Sequence, residues 1–551
     1  MKSGKLIVGF LILLIVLGVF LRVVSLNKDI TGEETDFVKS AKAIKETGKP
    51  VYYHSEQQKN ETALWHPPMY IYLLSLFSKN EMTMRSVNVI FSLLTALLIF
   101  LFCLKFFDKN IGLISSALFL LNYYILSSSL IIDIDMLSAF FIFAFVFCVL
   151  MAEKNKKYYL LASFALFFAL FNRWPIAILV YLGVFAYLVW TNGFRFWKKE
   201  ETKYYFFMGI VSALLFVAVW GIYAFYMKAS FFSFLIHNFK LGGEQISSIF
   251  IYFGSFILNI AQLTRLLTLP FLILMLYAFF YFARNKNKKI WLLGLSSLII
   301  FVFFALLPRP AFGYPRYFLS MMPFACILIS VLIYENLKNI HLSRKMVIIA
   351  ILGFLISLDL LFFSNAQVTT YTGNGLIKAT NLPDFLFNIL ASLPLLFVFA
   401  FKEKERKQVI IVILLMLVLS YSLYFDIKTA SYKSMNKEVG NYLKNNTNES
   451  DIVVATKAVG YYSERRFYFN DNNKPLINFS MSYISEYIKK SYENRNMNDE
   501  FFWRNEYFSA INGGIPDNET LKKVKYVVLY HEIEGKKEEK KIGGSYVYGN
   551  G

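Results

Sequence analysis

Two pairs of acidic residues lie beside long apolar stretches of this 551-residue sequence, where carboxylates are costly to place. Glu33 and Glu34 follow the first apolar stretch in "TGEETDFVKSAKAI", and Asp133 and Asp135 interrupt another in "IIDIDML". Acidic residues in the first turn of a helix ordinarily complement the helix dipole, and this reading stays open for the glutamates. The aspartates lie between isoleucines, and ionisable residues in such surroundings usually have a function. Carboxylates of this kind suit a general base or the ligands of a divalent cation.

Basic residues lie beside other apolar stretches of the sequence. His66 precedes two prolines in "LWHPPMYIYL", while Arg309 and Arg316 lie in "RPAFGYPRYF". Because proline lacks an amide donor and restricts the residue before it, Pro67 and Pro68 predict a bend or a rigid helix start. Arginine in such a place binds lipid headgroups generically or grips one phosphate with its planar fork. Acids and arginines together suit an enzyme that acts on a phosphate-bearing lipid.

The composition indicates what kind of protein positions these side chains. Hydrophobic residues make up 57% of the chain and charged residues only 17%, whereas about 25% charged residues are typical of soluble domains. The net charge of +20 could suggest nucleic acid, but the basic residues fall in short clusters between apolar stretches. Cys103, Cys148 and Cys326 lie far apart within apolar stretches, which favours core residues over a metal site or a disulfide framework. The sequence predicts a polytopic membrane protein that binds no nucleic acid.

About thirteen apolar stretches approach the length of roughly 20 residues that a membrane-spanning helix needs. They run over 6–25, 84–106, 111–128, 132–151, 158–171, 174–190, 204–226, 266–283, 290–307, 315–334, 346–363, 384–401 and 408–425. The fifth and sixth are short and are separated by "NRWP". The first lacks a small-residue cleavage site, which favours an uncleaved anchor over a signal peptide.

Lysine and arginine are unevenly distributed among the loops between these stretches. If the N-terminus is cytoplasmic, the cytoplasmic loops include "AEKNKK", "RNKNKK" and "KEKERK", whereas the opposite loops hold only isolated basic residues. Retention of lysine and arginine in the cytoplasm is the bias that sets membrane topology. We therefore expect an integral protein of the plasma (inner) membrane with its acidic pairs, His66 and Arg316 on the exterior face. An odd number of spans leaves the C-terminus outside as well.

The chain is expected to have two parts. Residues 1–426 form the transmembrane part, with an exterior first loop at 27–83. Residues 427–551 are more polar: "SMNKEVGNYLKNN" reads as a polar helix, and "DIVVAT" and "KYVVLY" read as short strands. A small exterior α/β domain is therefore predicted at the C-terminus.

The order of these motifs resembles that found in the GT-C class of integral-membrane glycosyltransferases. Within this class, the sequence resembles the protein O-mannosyltransferase and lipid A aminoarabinose transferase superfamily. In chain order the shared features are an acidic pair after the first span (Glu33, Glu34), a Pro-Pro-Leu-Tyr-like segment (Pro67 to Tyr70), an arginine at the second span (Arg85), an Asp-Met-Leu-like segment (Asp135 to Leu137), a turn at Arg173 to Pro175, and an Arg-Tyr pair (Arg316, Tyr317). The resemblance covers the first 180 residues and about 305–330, and elsewhere concerns architecture alone. Glu33 stands where the family usually has Asp, and Phe37 where it usually has Tyr.

The resemblance implies a glycosyltransferase that moves a sugar from a polyprenyl-phosphate donor to a lipid, glycan or protein acceptor on the exterior face. It implies Glu33, Glu34 and Asp135 as catalytic carboxylates, and Arg85, His66, Arg316 and Tyr317 as groups that bind the donor phosphate. Some relatives need a divalent cation. Carboxylates of Glu33 and Asp135 would suit Mg or Mn, and His66 would admit Zn.

Two other classes of function stay open at this point. One is a flippase or other carrier of lipid-linked sugars, and the other is a non-catalytic membrane scaffold whose tail binds a partner. Carriers place charged or unwound sites near the membrane midplane. In this sequence the ionisable residues of the spans lie toward the predicted exterior ends, namely Arg22, Asp133, Asp135 and Asp359. A scaffold would not need acidic residues at the mouth of a span.

Overall fold

The computed structural model describes most of the chain, and it is mainly helical. The described residues are 2–30, 34–54, 59–63, 67–232, 267–284, 287–306, 315–337, 344–363, 394, 403–431, 435–455, 457–468, 526–529, 539–542 and 545–549.

The helices follow the apolar stretches and continue into the C-terminal part. They are α1 (Lys2–Val24), α2 (Glu34–Thr47), α3 (Met69–Leu76), α4 (Glu81–Phe106), α5 (Lys109–Leu121), α6 (Tyr123–Ser129), α7 (Asp135–Ala152), α8 (Tyr158–Asn192), α9 (Glu200–Tyr226), α10 (Leu269–Arg284), α11 (Lys288–Leu306), α12 (Met322–Leu337), α13 (Arg344–Phe363), α14 (Glu403–Ser431), α15 (Asn436–Asn446) and α16 (Lys457–Ser463). Short 3-10 segments, Gly193–Lys198 and Pro315–Met321, precede α9 and α12.

Seven helices in the described part of the chain are long and apolar enough to cross a membrane, or eight if α5 and α6, bent by 63° at their junction, form one broken span. Three shorter apolar helices are found over Leu11–Val24, Leu269–Arg284 and Ile351–Leu361. These helices confirm a polytopic α-helical membrane protein. The span predicted over 384–401 lies outside the described residues, apart from residue 394.

Helix α8 reverses direction in its middle. Tyr159 stacks on Tyr204 with ring centroids 5.4 Å apart, and Tyr181 stacks on Tyr205 at 4.5 Å. In a straight helix residues 159 and 181 would lie about 33 Å apart, so they could not both contact adjacent residues of α9. The chain folds back at Arg173, where φ is −146° and ψ is 76°. The two arms of α8 correspond to the spans predicted over 158–171 and 174–190.

The two ends of the helical bundle differ in their residues. At one end Lys156 pairs with Glu200 at 2.5 Å, and the ammonium group of Lys289 lies 5.0 Å from the ring centre of Phe106. The opposite end, which we call the site end, holds the first loop and the starts of α4 and α7. The predicted cytoplasmic loops "AEKNKK" and "RNKNKK" therefore share one end, and Glu34 shares the other with Asp133 and Asp135. The orientation of these ends across the membrane stays a prediction.

The C-terminal part contains a small α/β unit. Its strands are β3 (Ile452–Val454), β4 (Arg466–Tyr468), β5 (Tyr526–Leu529), β6 (Lys540–Ile542) and β7 (Ser545–Gly549), in the sheet order β4-β3-β5-β7-β6. Strand β3 is parallel to β4 and β5, whereas β7 is antiparallel to β5 and β6. Helix α15 packs against α16 so closely that a Cβ atom at Gly440 would lie 2.4 Å from the Cβ of Tyr462. The boundary predicted between 426 and 427 falls inside α14, and the division into domains stays a prediction.

The first loop provides the surface on which this unit docks. The loop contains α2 and an antiparallel hairpin of β1 (Val51–His54) and β2 (Lys59–Thr62). The amide of Ile30 donates to the Tyr462 hydroxyl at 2.8 Å, and Asn436 donates to the Ile30 carbonyl at 3.2 Å. Lys457 pairs with Asp36 of α2 at 2.8 Å. The C-terminal unit is thus fixed to the loop that carries the first acidic pair.

Candidate active site

The acidic segment predicted from "IIDIDML" is an irregular turn between α6 and α7, held by side chains from three other helices. The backbone amide of Ile132 donates to Glu34 Oε1 at 2.8 Å. Asn88 donates to the Asp133 carbonyl at 2.8 Å and also to the Ile131 carbonyl. These groups are buried, so the bonds fix the turn and satisfy peptide groups that would otherwise be costly to bury. We call residues 130–134 the clamped turn.

Asn172 completes the clamp from the tip of α8. Its amide donates to the Ile134 carbonyl at 2.8 Å, and its side chain is fully buried. The next residue is Arg173, where α8 folds back. The reversal of α8 therefore brings both Asn172 and Arg173 to the clamped turn.

Glu34 and Arg85 form a buried ion pair beside this turn. Arg85 Nη2 lies 3.3 Å from Glu34 Oε1, and the two side chains are 1% and 2% exposed. Arg85 also donates to the carbonyls of Leu26, Lys28 and Asp29, at distances of 2.9, 2.7 and 3.3 Å. Arg85 thus holds the segment that leads into the acidic pair. Its role in binding the donor phosphate stays a prediction.

Asp135, Arg173 and Tyr317 meet at the site end. Asp135 is the first residue of α7, where a carboxylate is favoured by the helix dipole. It forms an ion pair with Arg173, and both side chains are buried. The guanidinium carbon of Arg173 lies 4.2 Å from the ring centre of Tyr317, which is a cation–π contact. Three motifs that are far apart in sequence therefore form one buried cluster, the Asp135 cluster.

The Pro-Pro segment contributes Tyr70 to the clamp. Its hydroxyl donates to Asn88 Oδ1 at 3.1 Å, and its ring packs edge-on against Phe37 with centroids 5.4 Å apart. Burial raises the pKa of Tyr70, and the charges of Asp133 and Glu34 act in the same direction. Tyr70 therefore stays protonated and acts as a hydrogen-bond donor in this network.

Lys28 adds a positive charge to the loop next to Arg85. Burial lowers the pKa of Lys28 to about 8; Arg85 strengthens this effect, and Glu34 opposes it. A cation in this situation is stabilised by a nearby anion. Nothing in the sequence had singled out Lys28, because one lysine after a span is ordinary.

Three predicted site residues are not described at the level of their side chains. Glu33 and His66 lie outside the described residues, and of Arg316 only the backbone is described, in the 3-10 segment before α12. Their roles stay predictions. Tyr317, next to Arg316, is placed within the Asp135 cluster.

The residues that are described fit a resident divalent cation poorly. No group of three or more His, Cys, Asp or Glu side chains within the described ranges has a metal-binding arrangement. Glu34 and Asp135 each face an arginine at ion-pair distance, which offsets the negative charge that attracts Mg or Mn. We therefore derive no step through a metal ion.

The arrangement brings carboxylates and guanidinium groups together in a region from which water is largely excluded. Such a site suits proton removal by a carboxylate and electrostatic stabilisation of a developing anion. Arg173 was not among the site residues predicted from the sequence. The signal was the break "NRWP" in an apolar stretch, which predicted a turn but not the partner of its arginine.

A family model described as dolichyl-phosphate-mannose-protein mannosyltransferase matches residues 65–223. That stretch includes Arg85, the clamped turn, Asp135 and Arg173. No curated protein sequence matches the chain.

The fold is similar to two crystal structures of ArnT from Cupriavidus metallidurans. For the structure bound to undecaprenyl phosphate the TM-score is 0.58 at 13% identity, with 83% of this chain and 85% of that chain covered. For the apo state the TM-score is 0.55 at 14% identity, with the same two shares covered. At these identities the likeness concerns the fold.

The family model adds sequence similarity to this likeness in fold, over the stretch that builds most of the site. The chain is therefore an integral membrane protein that resembles the dolichyl-phosphate-mannose-protein mannosyltransferase family over residues 65–223 and has a fold similar to that of ArnT, in agreement with the resemblance to the GT-C class predicted from the sequence.

Proposed function

We propose that this protein transfers a sugar from a polyprenyl-phosphate donor to a lipid, glycan or protein acceptor on the exterior face of the plasma (inner) membrane. The observation that carries the proposal is the buried Asp135 cluster at the site end of a GT-C fold. ArnT, which has a similar fold, binds undecaprenyl phosphate. The family model that matches residues 65–223 describes enzymes whose donor is dolichyl-phosphate-mannose. Both support a lipid-phosphate donor for this chain.

The reaction is a single displacement at the anomeric carbon. A hydroxyl oxygen of the acceptor forms a bond to this carbon while the bond between the carbon and the donor phosphate oxygen breaks. The polyprenyl phosphate leaves with the electron pair, and a carboxylate takes the acceptor proton. The sugar is therefore inverted at its anomeric centre.

Among the carboxylates, Glu33 is our proposed base. Glu34 is occupied by Arg85 and by the Ile132 amide, so it positions the first loop and the clamped turn. Glu33 is its neighbour and is carried by the same loop. Asp135 supports the site through Arg173, and Arg173, His66 and Arg316 supply positive charge for the departing phosphate.

Amide replacements of the three carboxylates test this assignment. Glu33→Gln, Glu34→Gln and Asp135→Asn keep the side-chain shape and remove the charge. We expect Glu33→Gln to lower the transfer rate by about 10²-fold or more, the usual scale of general-base catalysis. Asp108→Asn is the matched control, because Asp108 caps α5 through its side-chain oxygen and Asn caps equally well. Full transfer activity in all three carboxylate variants would refute the catalytic role of this face.

A further inference from the structure

A charged cavity of about 610 Å³ lies between α2 and the C-terminal α/β unit. Its lining includes Lys39 and Lys42 of α2, Lys437 of α15, and Arg465 and Arg466 next to and within β4. The first loop and the C-terminal unit, which are far apart in sequence, therefore both supply positive charge to this cavity. We call this cavity the α2 pocket.

The acids that line the α2 pocket leave a positive excess. Three carboxylates contribute, Glu81, Glu449 and Glu464, against five cationic side chains. Glu81 accepts a hydrogen bond from the Tyr461 hydroxyl at 3.0 Å. Glu464 pairs at 2.7 Å with Lys444, which does not line the pocket. The pocket therefore attracts anions.

Two of the lysines hold their ammonium groups near aromatic side chains. Lys42 donates to the Tyr461 hydroxyl at 2.5 Å, and the Lys437 ammonium lies 5.9 Å from the ring centre of Tyr462. Neither forms an ion pair within 4 Å with a carboxylate of the described residues. Arg465, by contrast, is tied to Thr447 through its Nε and Nη2 atoms at 2.8 Å each. Arg465 builds the wall of the pocket, while the lysines can turn to a ligand.

Lys39 is a half-buried cation of the pocket. Burial lowers its pKa to about 8; Asp36 opposes this effect, and Lys457 strengthens it. Its ammonium lies 5.3 Å from the ring centre of Phe467. An anion within reach would favour its charged form.

The α2 pocket is also close to the proposed reaction centre. Lys39 lies five residues beyond Glu34 on the same helix, which is about 7.5 Å along the axis. Tyr462, which lines the pocket, binds the Ile30 amide four residues before Glu34. A molecule anchored in the pocket could therefore extend a hydroxyl group toward the acidic pair.

We propose that the α2 pocket binds a phosphate group of the acceptor, so that the C-terminal unit selects an anionic acceptor. The use as an acceptor site rests on the proposed glycosyltransferase function. Binding of a phosphate group does not rest on that function, because it needs only the lysines and the cavity. A phosphate on a saccharide and the phosphate of a lipid headgroup share this chemistry.

Direct binding tests the site without requiring transfer. The full chain in phosphatidylcholine nanodiscs is titrated with glucose 6-phosphate, and with glucose as the uncharged counterpart. We expect glucose 6-phosphate alone to bind, and Lys42→Glu or Lys437→Glu to weaken it about tenfold or more, the scale of one hydrogen bond to a charged group. Lys45→Glu on the same helix and Lys540→Glu on β6 are matched controls, because both lysines are exposed and do not line the pocket. Absence of binding, or equal binding by the pocket variants and the controls, would overturn the proposal.

Two further arms identify the source of the phosphate and separate the two proposals. If the natural occupant is a saccharide phosphate, replacing part of the phosphatidylcholine with phosphatidylglycerol leaves the affinity for glucose 6-phosphate unchanged; competition would reassign the pocket to lipid headgroups. In a transfer assay, Lys42→Gln and Lys437→Gln should raise KM for the acceptor and leave KM for the donor unchanged. A rise in the donor KM alone would contradict an acceptor site. Binding without any transfer would leave the pocket standing and refute the proposed function.

Discussion

Arg85 and Glu34 are unequal partners in their buried ion pair. Arg85 donates to three backbone carbonyls in addition to Glu34, whereas the Glu34 carboxylate accepts from Arg85 and from the Ile132 amide. Removing the arginine therefore leaves a buried negative charge with its main cation gone. Removing the charge of the glutamate leaves the guanidinium still bonded to peptide oxygens.

This inequality predicts asymmetric effects on stability. Arg85→Met should lower the free energy of unfolding by about 3–5 kcal/mol, the usual cost of leaving one charge of a buried pair without its partner. Glu34→Gln should cost only about 1–2 kcal/mol, because an amide oxygen can still accept the Ile132 hydrogen bond. Both losses are measured by chemical unfolding of the two single variants and of the double variant in detergent. Equal losses in the two single variants would contradict this account of the pair.

The sequence identified these residues by type but not by partner. The aspartates were singled out because charge is costly in apolar surroundings, whereas Arg85 and the turn at Arg173 were noted through the resemblance to a known family. That Asp135 meets Arg173, and Glu34 meets Arg85, depends on which helices lie side by side. Hydrophobic periodicity does not encode such neighbours, because every span is apolar around most of its circumference.

At the scale of elements, the clamped turn depends on side chains from neighbouring helices. Asn88 of α4 donates to the carbonyls of Ile131 and Asp133 and accepts from Tyr70. The residue lies in an apolar span, where an amide side chain is otherwise unfavourable. Its position is explained by the irregular backbone that it bonds.

Asn88→Leu should therefore destabilise the turn and the site together. Two buried carbonyls lose their donor, at about 1–3 kcal/mol for each unsatisfied group. Tyr70→Phe removes a single bond and should cost about 0.5–1.5 kcal/mol. Ser86→Ala is the control on α4, because the Ser86 hydroxyl donates to the Thr83 carbonyl of its own helix. Hydrogen exchange of residues 130–134 should increase in Asn88→Leu and remain unchanged in Ser86→Ala. Unchanged exchange in both would show that the turn holds without Asn88.

Broken helices show where local sequence signals sufficed and where they did not. The prediction of two short spans around "NRWP" matches the two arms of α8, since Pro175 and polar residues interrupt the apolar pattern there. The span predicted over 111–128 is instead broken into α5 and α6 with a bend of 63°. Asn122 makes this break by accepting a hydrogen bond from the Ile125 amide as a helix cap. One asparagine within an apolar stretch was too weak a signal to predict it.

At the scale of the whole molecule, the helices place the described parts of the candidate site at one end. The first loop, the clamped turn, the Asp135 cluster and the docked C-terminal unit share the site end. The docking contacts, such as Lys457 with Asp36, join residues more than 400 positions apart. No local pattern predicts such contacts, although the polar helix and two of the five strands of the C-terminal unit, β3 and β5, were predicted from the residue pattern.

The orientation of the molecule is a prediction that labelling can test. In a variant with the three native cysteines replaced, Ser55→Cys and Ser480→Cys should react with an impermeant thiol reagent in intact cells. Asn287→Cys, in a basic loop at the opposite end, should react only after the cells are opened. Labelling of Asn287→Cys from outside would reverse the assignment of the exterior face.

The most direct test of the central claim is sugar transfer by the purified protein in nanodiscs. The donor is a polyprenyl-phosphate-linked sugar from native membranes, and the acceptor is an envelope extract from cells that lack this protein. Mass spectrometry measures release of polyprenyl phosphate and the gain of one sugar by a component of the extract. We predict that both occur together, and that Glu33→Gln lowers both by about 10²-fold or more. Nanodiscs enclose no compartment, so a carrier would produce neither product. An unchanged donor and an unmodified extract in the presence of correctly folded protein would contradict the account.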